Sequence, residues 1–243
     1  MRMFQLDPRL QLCAEMVREG SALADVGTDH AYLPIWLLLH QKISRAIAID
    51  VREGPLQTAK ENVVRYQVEK QVRLSLSNGL CGISAKDADD IVIAGMGGEL
   101  IAQILSEAPW TKDPEKRLIL QPMTTAPELR KWLGEQGYAI EQEKCAVADG
   151  KPYSVMQVTY DPQQAGQLMK EELYPYIGRL AGNMPEEKEY ISKVIHQLSN
   201  RLKGYVHTND QSKTQQAERI LWLLREKIGL QQTETMKEGC GEP

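Results

Sequence analysis

Five strand-like runs, all but the third followed by a helix-like segment, occupy residues 21–136 and leave few folds open. They are "SALADV", "RAIAID", "VRLSLS", "DIVIAG" and "RLILQP". The helix-like segments are "YLPIWLLLHQ", a stretch from Glu53 to Glu69, "GELIAQILSE" and "APELRKWLGEQ". Strands alternating with helices at this spacing predict βαβ units on a parallel sheet. The continuous apolar character of "IVIA" and "LILQ" fits strands covered on both faces. Upstream, "LDPRLQLCAEMV" predicts a helix capped by Asp7, with Pro8 in its first turn and one stripe made by Leu6, Leu10, Cys13 and Val17.

The pattern then changes. "YAIEQEKCAVADGKPYSVMQVTY" holds two strand-like runs joined by Asp149-Gly150, a turn pair that suits positive φ at both positions and so predicts a hairpin. The expected fold class is therefore α/β: a Rossmann-like, class I methyltransferase-type sheet, mostly parallel, with an antiparallel hairpin at its end and a small α-helical C-terminal domain. Beyond residue 161 the pattern is helical and interrupted at Pro175. Ile191, Ile195, Leu198, Leu202 and Tyr205 form one seam, and Ala217, Leu221, Leu224 and Ile228 another, with "HTNDQS" between them. This predicts an antiparallel helical hairpin. The expected division is 1–160 for the sheet domain, 161–230 for the helical hairpin and 231–243 for a disordered tail.

No run approaches the roughly 18 apolar residues of a membrane span. The N-terminus carries charge too early for a signal peptide, so a cytoplasmic location is expected. Cys13, Cys81, Cys145 and Cys240 form no CxxC pair and match no zinc spacing; free, mostly buried thiols and no metal site are expected. The formal net charge is −4, which disfavours a uniformly basic nucleic-acid coat but leaves room for a local basic face.

Ligands of open α/β sheets bind beyond the carboxyl ends of the strands. The loop after the first strand, "DVGTDH", has one glycine of the three in a dinucleotide fingerprint and adds two carboxylates. Carboxylates beside a pyrophosphate would repel it by about 1 kcal/mol or more per close pair. A cofactor with an ammonium and a sulfonium suits Asp25 and Asp29 better, and S-adenosylmethionine has both. Asp50 ends the second strand, where an acidic residue can accept hydrogen bonds from ribose hydroxyls. In "SNGL", Asn78 could meet an adenine edge and Gly79 could let the base approach near Leu80. "AGMGGEL" places Gly95, Met96, Gly97 and Gly98 at the mouth of a helix, where a methyl acceptor would enter. Each feature alone has a structural explanation as a cap, a turn or a tight connection. Their recurrence at four strand ends points to a cofactor site.

"ADVGTDHAYLP", "IAGMGGELIAQIL" and "RLILQP" together resemble the bacterial tRNA (adenine-22-N1)-methyltransferase family, TrmK, over essentially the whole chain. The resemblance implies a class I fold, S-adenosylmethionine as cofactor and N1 of adenine 22 in tRNA as acceptor. The expected cofactor contacts are Asp25, Gly27, Asp50, Asn78, Gly79, Leu80, Gly95 and Met96. Asn78 departs from the acidic residue often found before this glycine, and its amide can still accept from an adenine amino group. Asp29, His30 and Tyr32 are the expected catalytic group: Asp29 for the charge on the methylated adenine or for its amino group, His30 to position the base or to carry away a proton later, Tyr32 to stack or hydrogen-bond. Gly97, Gly98, Gln121, Pro122 and Tyr153 are expected to bind the acceptor.

Phosphate contacts require local cations. The C-terminal hairpin carries Lys188, Lys193, Arg201, Lys203, Lys213, Arg219, Arg225 and Lys227 against Glu189, Asp210, Glu218 and Glu226. Lys193, Arg201, Lys203, Lys213 and Arg219 are the expected tRNA contacts. The protein is expected to be a monomer or weak dimer. Other readings are a methyltransferase for another RNA or a small molecule, and a non-catalytic RNA-binding protein on the same fold.

Overall fold

The computed structural model describes residues 4–230. Cys240 and the expected tail lie outside them. The chain divides into two compact units, one running through Leu180 and the other starting at Ala181.

The first unit opens with α1 (Pro8–Met16), whose N-terminus is closed by Asp7: its side chain accepts from the backbone N–H of Arg9 at 2.8 Å and of Leu10 at 3.1 Å. Then follow β1 (Ala22–Val26), α2 (Tyr32–Leu39), β2 (Arg45–Asp50), α3 (Glu53–Arg65), β3 (Val72–Leu76), β4 (Asp90–Gly97), α4 (Gly98–Ser106), β5 (Arg117–Thr124) and α5 (Ala126–Glu135). The hairpin β6 (Tyr138–Ala148) and β7 (Lys151–Tyr160) turns at Asp149-Gly150, with φ of 50° and 69°. Helix α3 ends before the expected Glu69, because Gln67 takes φ 60° and breaks the helical backbone.

The seven strands make one sheet in the order β3-β2-β1-β4-β5-β7-β6. The first five are parallel, and β7 enters antiparallel beside β5. Strand alternation sorts the core into two layers. Ile91, Ile93, Leu118 and Leu120 face α4 and α5, while Val92 and Ile119 face the layer of α1, α2 and α3. Burial on both faces is what the unbroken apolar runs require. Among the thiols, Cys13 is buried, Cys145 half-buried and Cys81 exposed, so the expectation of mostly buried thiols fails for two of these three.

Residues 161–180 do not belong with the C-terminal hairpin as expected. Helices α6 (Pro162–Leu168) and α7 (Tyr174–Ile177) fall within the first unit. The physical reason is a buried ion pair. Arg130 of α5, fully buried, donates to Glu143 of β6 at 2.6 Å, to Ser154 Oγ at 3.1 Å and to the carbonyl of Tyr176 at 2.8 Å. Glu143 also accepts from the backbone N–H of Arg179 at 3.2 Å. The segment after Pro175 is thus tied to the sheet by groups that must be satisfied once buried.

The second unit is an antiparallel pair, α8 (Pro185–His207) and α9 (Gln211–Lys227), with Asp210 capping α9 through the N–H of Lys213 at 3.1 Å. Its seam is buried at Tyr190, Ile191, Val194 and Leu198 against Ala217, Ile220, Leu221 and Leu224. Leu202 and Tyr205, expected in the seam, are only half-buried near the turn.

Removing Glu143 strands a buried guanidinium. Glu143→Ala should cost about 3–5 kcal/mol in thermal or urea unfolding; a loss under about 1 kcal/mol would mean the pair does not hold the 161–180 segment.

Candidate active site

A cleft of about 570 Å³ opens over the carboxyl ends of β1, β2 and β4. These strands sit centrally in the sheet, so their ends are held rigidly while the loops beyond them are free to shape a site. Asp25 lies inside β1, hydrogen-bonded in register between Ala48 and Val92. Its carboxylate is 5% exposed and accepts from Thr28 Oγ1 at 2.5 Å. Asp50, at the end of β2 and equally buried, accepts from the backbone N–H of Arg52 at 2.9 Å. Two carboxylates therefore line one pocket. Burial, the dominant cause, and the charge of Asp50 push the Asp25 carboxyl up to about 6, against the lowering effect of the Thr28 hydrogen bond.

The loop between β1 and α2 repeats a left-handed backbone at Gly27, Asp29 and Ala31, with φ of 73°, 54° and 58°. Aspartate tolerates this region through local hydrogen bonding, whereas alanine is strained there by about 1–2 kcal/mol. A Cβ on Gly27 would collide with the Met96 methyl, so glycine is what lets Met96 close over this loop. Asp29 and Tyr32 both line the cleft. His30 stands beside them, its Nε2 3.5 Å from Asp29 and its ring 5.7 Å from Tyr32, without lining the cleft.

At the opposite wall β4 bulges. Its register with β5 slips between Ala94 and Met96, leaving Gly95 at φ 78° outside the ladder. The orphaned N–H of Gly95 donates to Gln121 Oε1 at 3.0 Å, and Arg9 of α1 donates to the same oxygen at 3.0 Å. Gln121 is fully buried, and its Nε2 donates to the carbonyl of Pro122 at 3.0 Å.

Of the expected cofactor contacts, Asp25, Gly27, Asp50, Asn78, Gly79, Gly95 and Met96 line this single cleft. Leu80 does not: it is buried in the core layer beneath α4. None of the expected acceptor contacts lines it. Gln121 holds the bulge, and Pro122 is buried opposite Met96 in the strand register. Gly97 sits where a Cβ would come within 3.2 Å of Thr124 Oγ1. Gly98 lets α4 approach the β5–α5 turn, where a Cβ would lie 2.5 Å from the Thr125 carbonyl. Tyr153 is buried under the Arg9 guanidinium, 5.3 Å from its ring centre. Sequence reasoning missed Asp7, Arg9 and Leu10, which line the cleft from α1. Their signal was the cap motif itself, which was legible only as a helix start.

The donor set suits a positively charged adenosine-bearing ligand. Acidic side chains on β1, β2 and the first loop face the space, and no three-glycine cradle for a diphosphate is present.

A methyltransferase-domain family profile matches residues 6–156. The tRNA (adenine(22)-N(1))-methyltransferase of Bacillus subtilis (strain 168) is 40% identical over 156 residues, 64% of this chain; the alignment spans 66% of that relative, just under two thirds of its length. The crystal structure of the B. subtilis m1A22 tRNA methyltransferase TrmK matches with a TM-score of 0.79 and 31% identity, covering 92% of this chain and 99% of that one. The chain belongs to the TrmK family. A Streptococcus pneumoniae protein crystallised with S-adenosyl-L-methionine is also similar, at 34% identity and a TM-score of 0.74, covering 88% of this chain and 98% of that one. Among TrmK relatives this chain thus keeps both the sheet and the helical C-terminal region.

The raised Asp25 carboxyl has a stability consequence with a definite sign. A folded-state value of about 6 above the ordinary 3.8 means that the group's favourable contribution is complete below about 3.8 and is lost as pH rises through about 6. Asp25→Asn should therefore melt higher than the parent at pH 7.5 in the absence of ligand, and close to it at pH 4. An equal difference at both pH values would rule out this titration.

Proposed function

We infer that this protein transfers a methyl group from S-adenosylmethionine to N1 of adenine 22 in tRNA. The observation that carries this reading is the convergence of Asp25, Asp29 and Asp50 on one cleft of a TrmK-family chain. When bound, S-adenosylmethionine supplies an electrophilic methyl group. Asp25 and the loop at Gly27 would hold its charged end, Asp50 its ribose, and Asn78 and Gly79 its adenine. This part of the site selects for positive charge, because ionised carboxylates at low exposure gain most from a cation.

Adenine N1 has its own lone pair, so no proton need leave before attack. The work of the chain is placement, which can supply roughly 7–11 kcal/mol of the barrier. Asp29, which lines the cleft, would oppose the positive charge that develops on the ring. Tyr32, which also lines the cleft, would stack on or hydrogen-bond to the acceptor, and His30, beside both, would position the base. The bulge at Gly95, held by Gln121 and Arg9, fixes the opposite wall.

The cations of the second unit support a tRNA partner. Lys193, Arg201 and Lys203 lie on α8, and Lys213 and Arg219 on α9. Lys213 is engaged by Asp210 at 2.8 Å, so its phosphate contact would come at the expense of an existing pair. Among the described residues no helix is long and apolar enough to cross a membrane. We place the enzyme in the cytoplasm, where its substrate is found, as a monomer or weak dimer.

Transfer of labelled methyl to a tRNA transcript, followed by nucleotide mapping, tests the reading: label should appear at adenine 22 and vanish when that position is guanine. Asp29→Ala should lower kcat by about 10²–10³-fold with the cofactor Kd retained. Asp50→Ala should weaken cofactor binding by about 10–100-fold. Unchanged calorimetry in the second variant would move the cofactor elsewhere. Glutamine at Lys193, Arg201 and Lys203 together should reduce the slope of log Kd for tRNA against log salt by roughly 0.7–0.9 for each phosphate that is no longer neutralised. An unaltered slope would remove α8 from the RNA interface.

A further inference from the structure

A second hollow of about 600 Å³ is lined, among the described residues, by Phe4, Gln5, Leu6, Pro8, Gln11, Trp36 and His40. Its walls are flat rings. Trp36 and His40 stack with centroids 3.7 Å apart and planes 22° from parallel. His40 is exposed, and its Nδ1 lies 2.7 Å from the Trp36 carbonyl. A carbonyl only accepts, so Nδ1 carries the proton and Nε2 keeps its lone pair in the neutral ring. Gln5 and Gln11 add amide groups that both donate and accept. Among the described residues no Asp, Glu, Lys or Arg side chain lines the hollow.

A row of rings stands between this hollow and the cleft. Phe4, which lines the hollow, lies 5.1 Å from Tyr32, which lines the cleft and is 40% exposed. Phe4 also meets Tyr66 at 5.2 Å, and Tyr32 meets His30 at 5.7 Å. An aromatic partition therefore separates the two spaces.

We propose that this hollow binds the unpaired base of a nucleotide adjoining the one whose adenine enters the cleft. The proposal rests on the reading that the chain acts on tRNA. An acceptor base that leaves its stack exposes the faces of its neighbours. A flat site beside the cleft offsets that loss by receiving one neighbour. Stacking on aromatic rings with amides at the edge is the chemistry by which proteins hold single-stranded bases. Among the described residues that line it, none offers a fixed charge to a cation or a phosphate.

The test uses the full chain, a tRNA transcript carrying adenine 22, and the same RNA made abasic at nucleotide 21 or 23. His40 is exposed, so His40→Ala should fold like the parent by thermal melting and bind S-adenosylmethionine with the same Kd. Its Kd for the intact tRNA should rise by about tenfold. One of the two abasic RNAs should weaken the parent by a similar factor and weaken His40→Ala no further. Gln11→Ala, a change at the base edge, should show the same lack of additivity to a smaller extent. A parent-like Kd in His40→Ala, or losses from variant and abasic RNA that multiply, overturns the proposal. If tRNA is methylated at adenine 22 while His40→Ala binds it normally, this site falls and the enzyme's function stands. If no tRNA is methylated but His40→Ala still loses RNA affinity, the function falls and the site stands; if the parent binds no tRNA, both fall.

Discussion

A carboxylate on a strand paired on both sides is the constraint around which this site is arranged. Asp25 cannot move to water without tearing β1 from β2 and β4. Thr28 supplies a hydrogen bond, and Asp50 adds a second negative charge to the same pocket. Without a cation the arrangement is costly, which is why the Asp25 carboxyl is pushed up to about 6. That cost is a form of preorganisation: the binding field is in place before the ligand arrives, and the rigid sheet keeps it from relaxing.

The loops around Asp25 reach their shape through backbone conformations that most residues avoid. The left-handed sequence at Gly27, Asp29 and Ala31 brings Asp29 to the lining of the cleft. Across from it, the β4 bulge would leave the Gly95 amide unpaired were it not for Gln121. Because the same Gln121 oxygen is shared with Arg9, helix α1 is coupled to the β4 bulge although it precedes the sheet in the chain. Strain and shared hydrogen bonds of this kind gather where function needs fixed geometry.

A different kind of constraint fixes the end of the first unit. Arg130 and Glu143 are both buried, and a buried pair is tolerated only when its remaining polar groups find partners. The carbonyl of Tyr176 and the N–H of Arg179 are such partners, so the chain after Pro175 returns to the sheet and does not extend the helical hairpin.

Much of this was legible in the sequence, because it rests on local chemistry. The period of apolar residues required a parallel sheet, Asp149-Gly150 a closing hairpin, and Asp7-Pro8 a helix start; all three are present. The acidic strand ends, Asp25 and Asp50, marked the place of the cleft on their own. What the sequence could not decide was which neighbours these residues would meet. Gln121 looked like an acceptor contact and is a buried clamp, while Leu80 looked like a cofactor contact and is core. Arg9 and the Phe4–Trp36–His40 hollow draw on residues far apart in the chain, or on a ring's tilt, that no periodicity encodes. Strand period and turn chemistry are properties of a few adjacent residues. A shared hydrogen-bond acceptor, a bulge and an aromatic partition exist only after distant segments have packed, and the tertiary structure alone determined them.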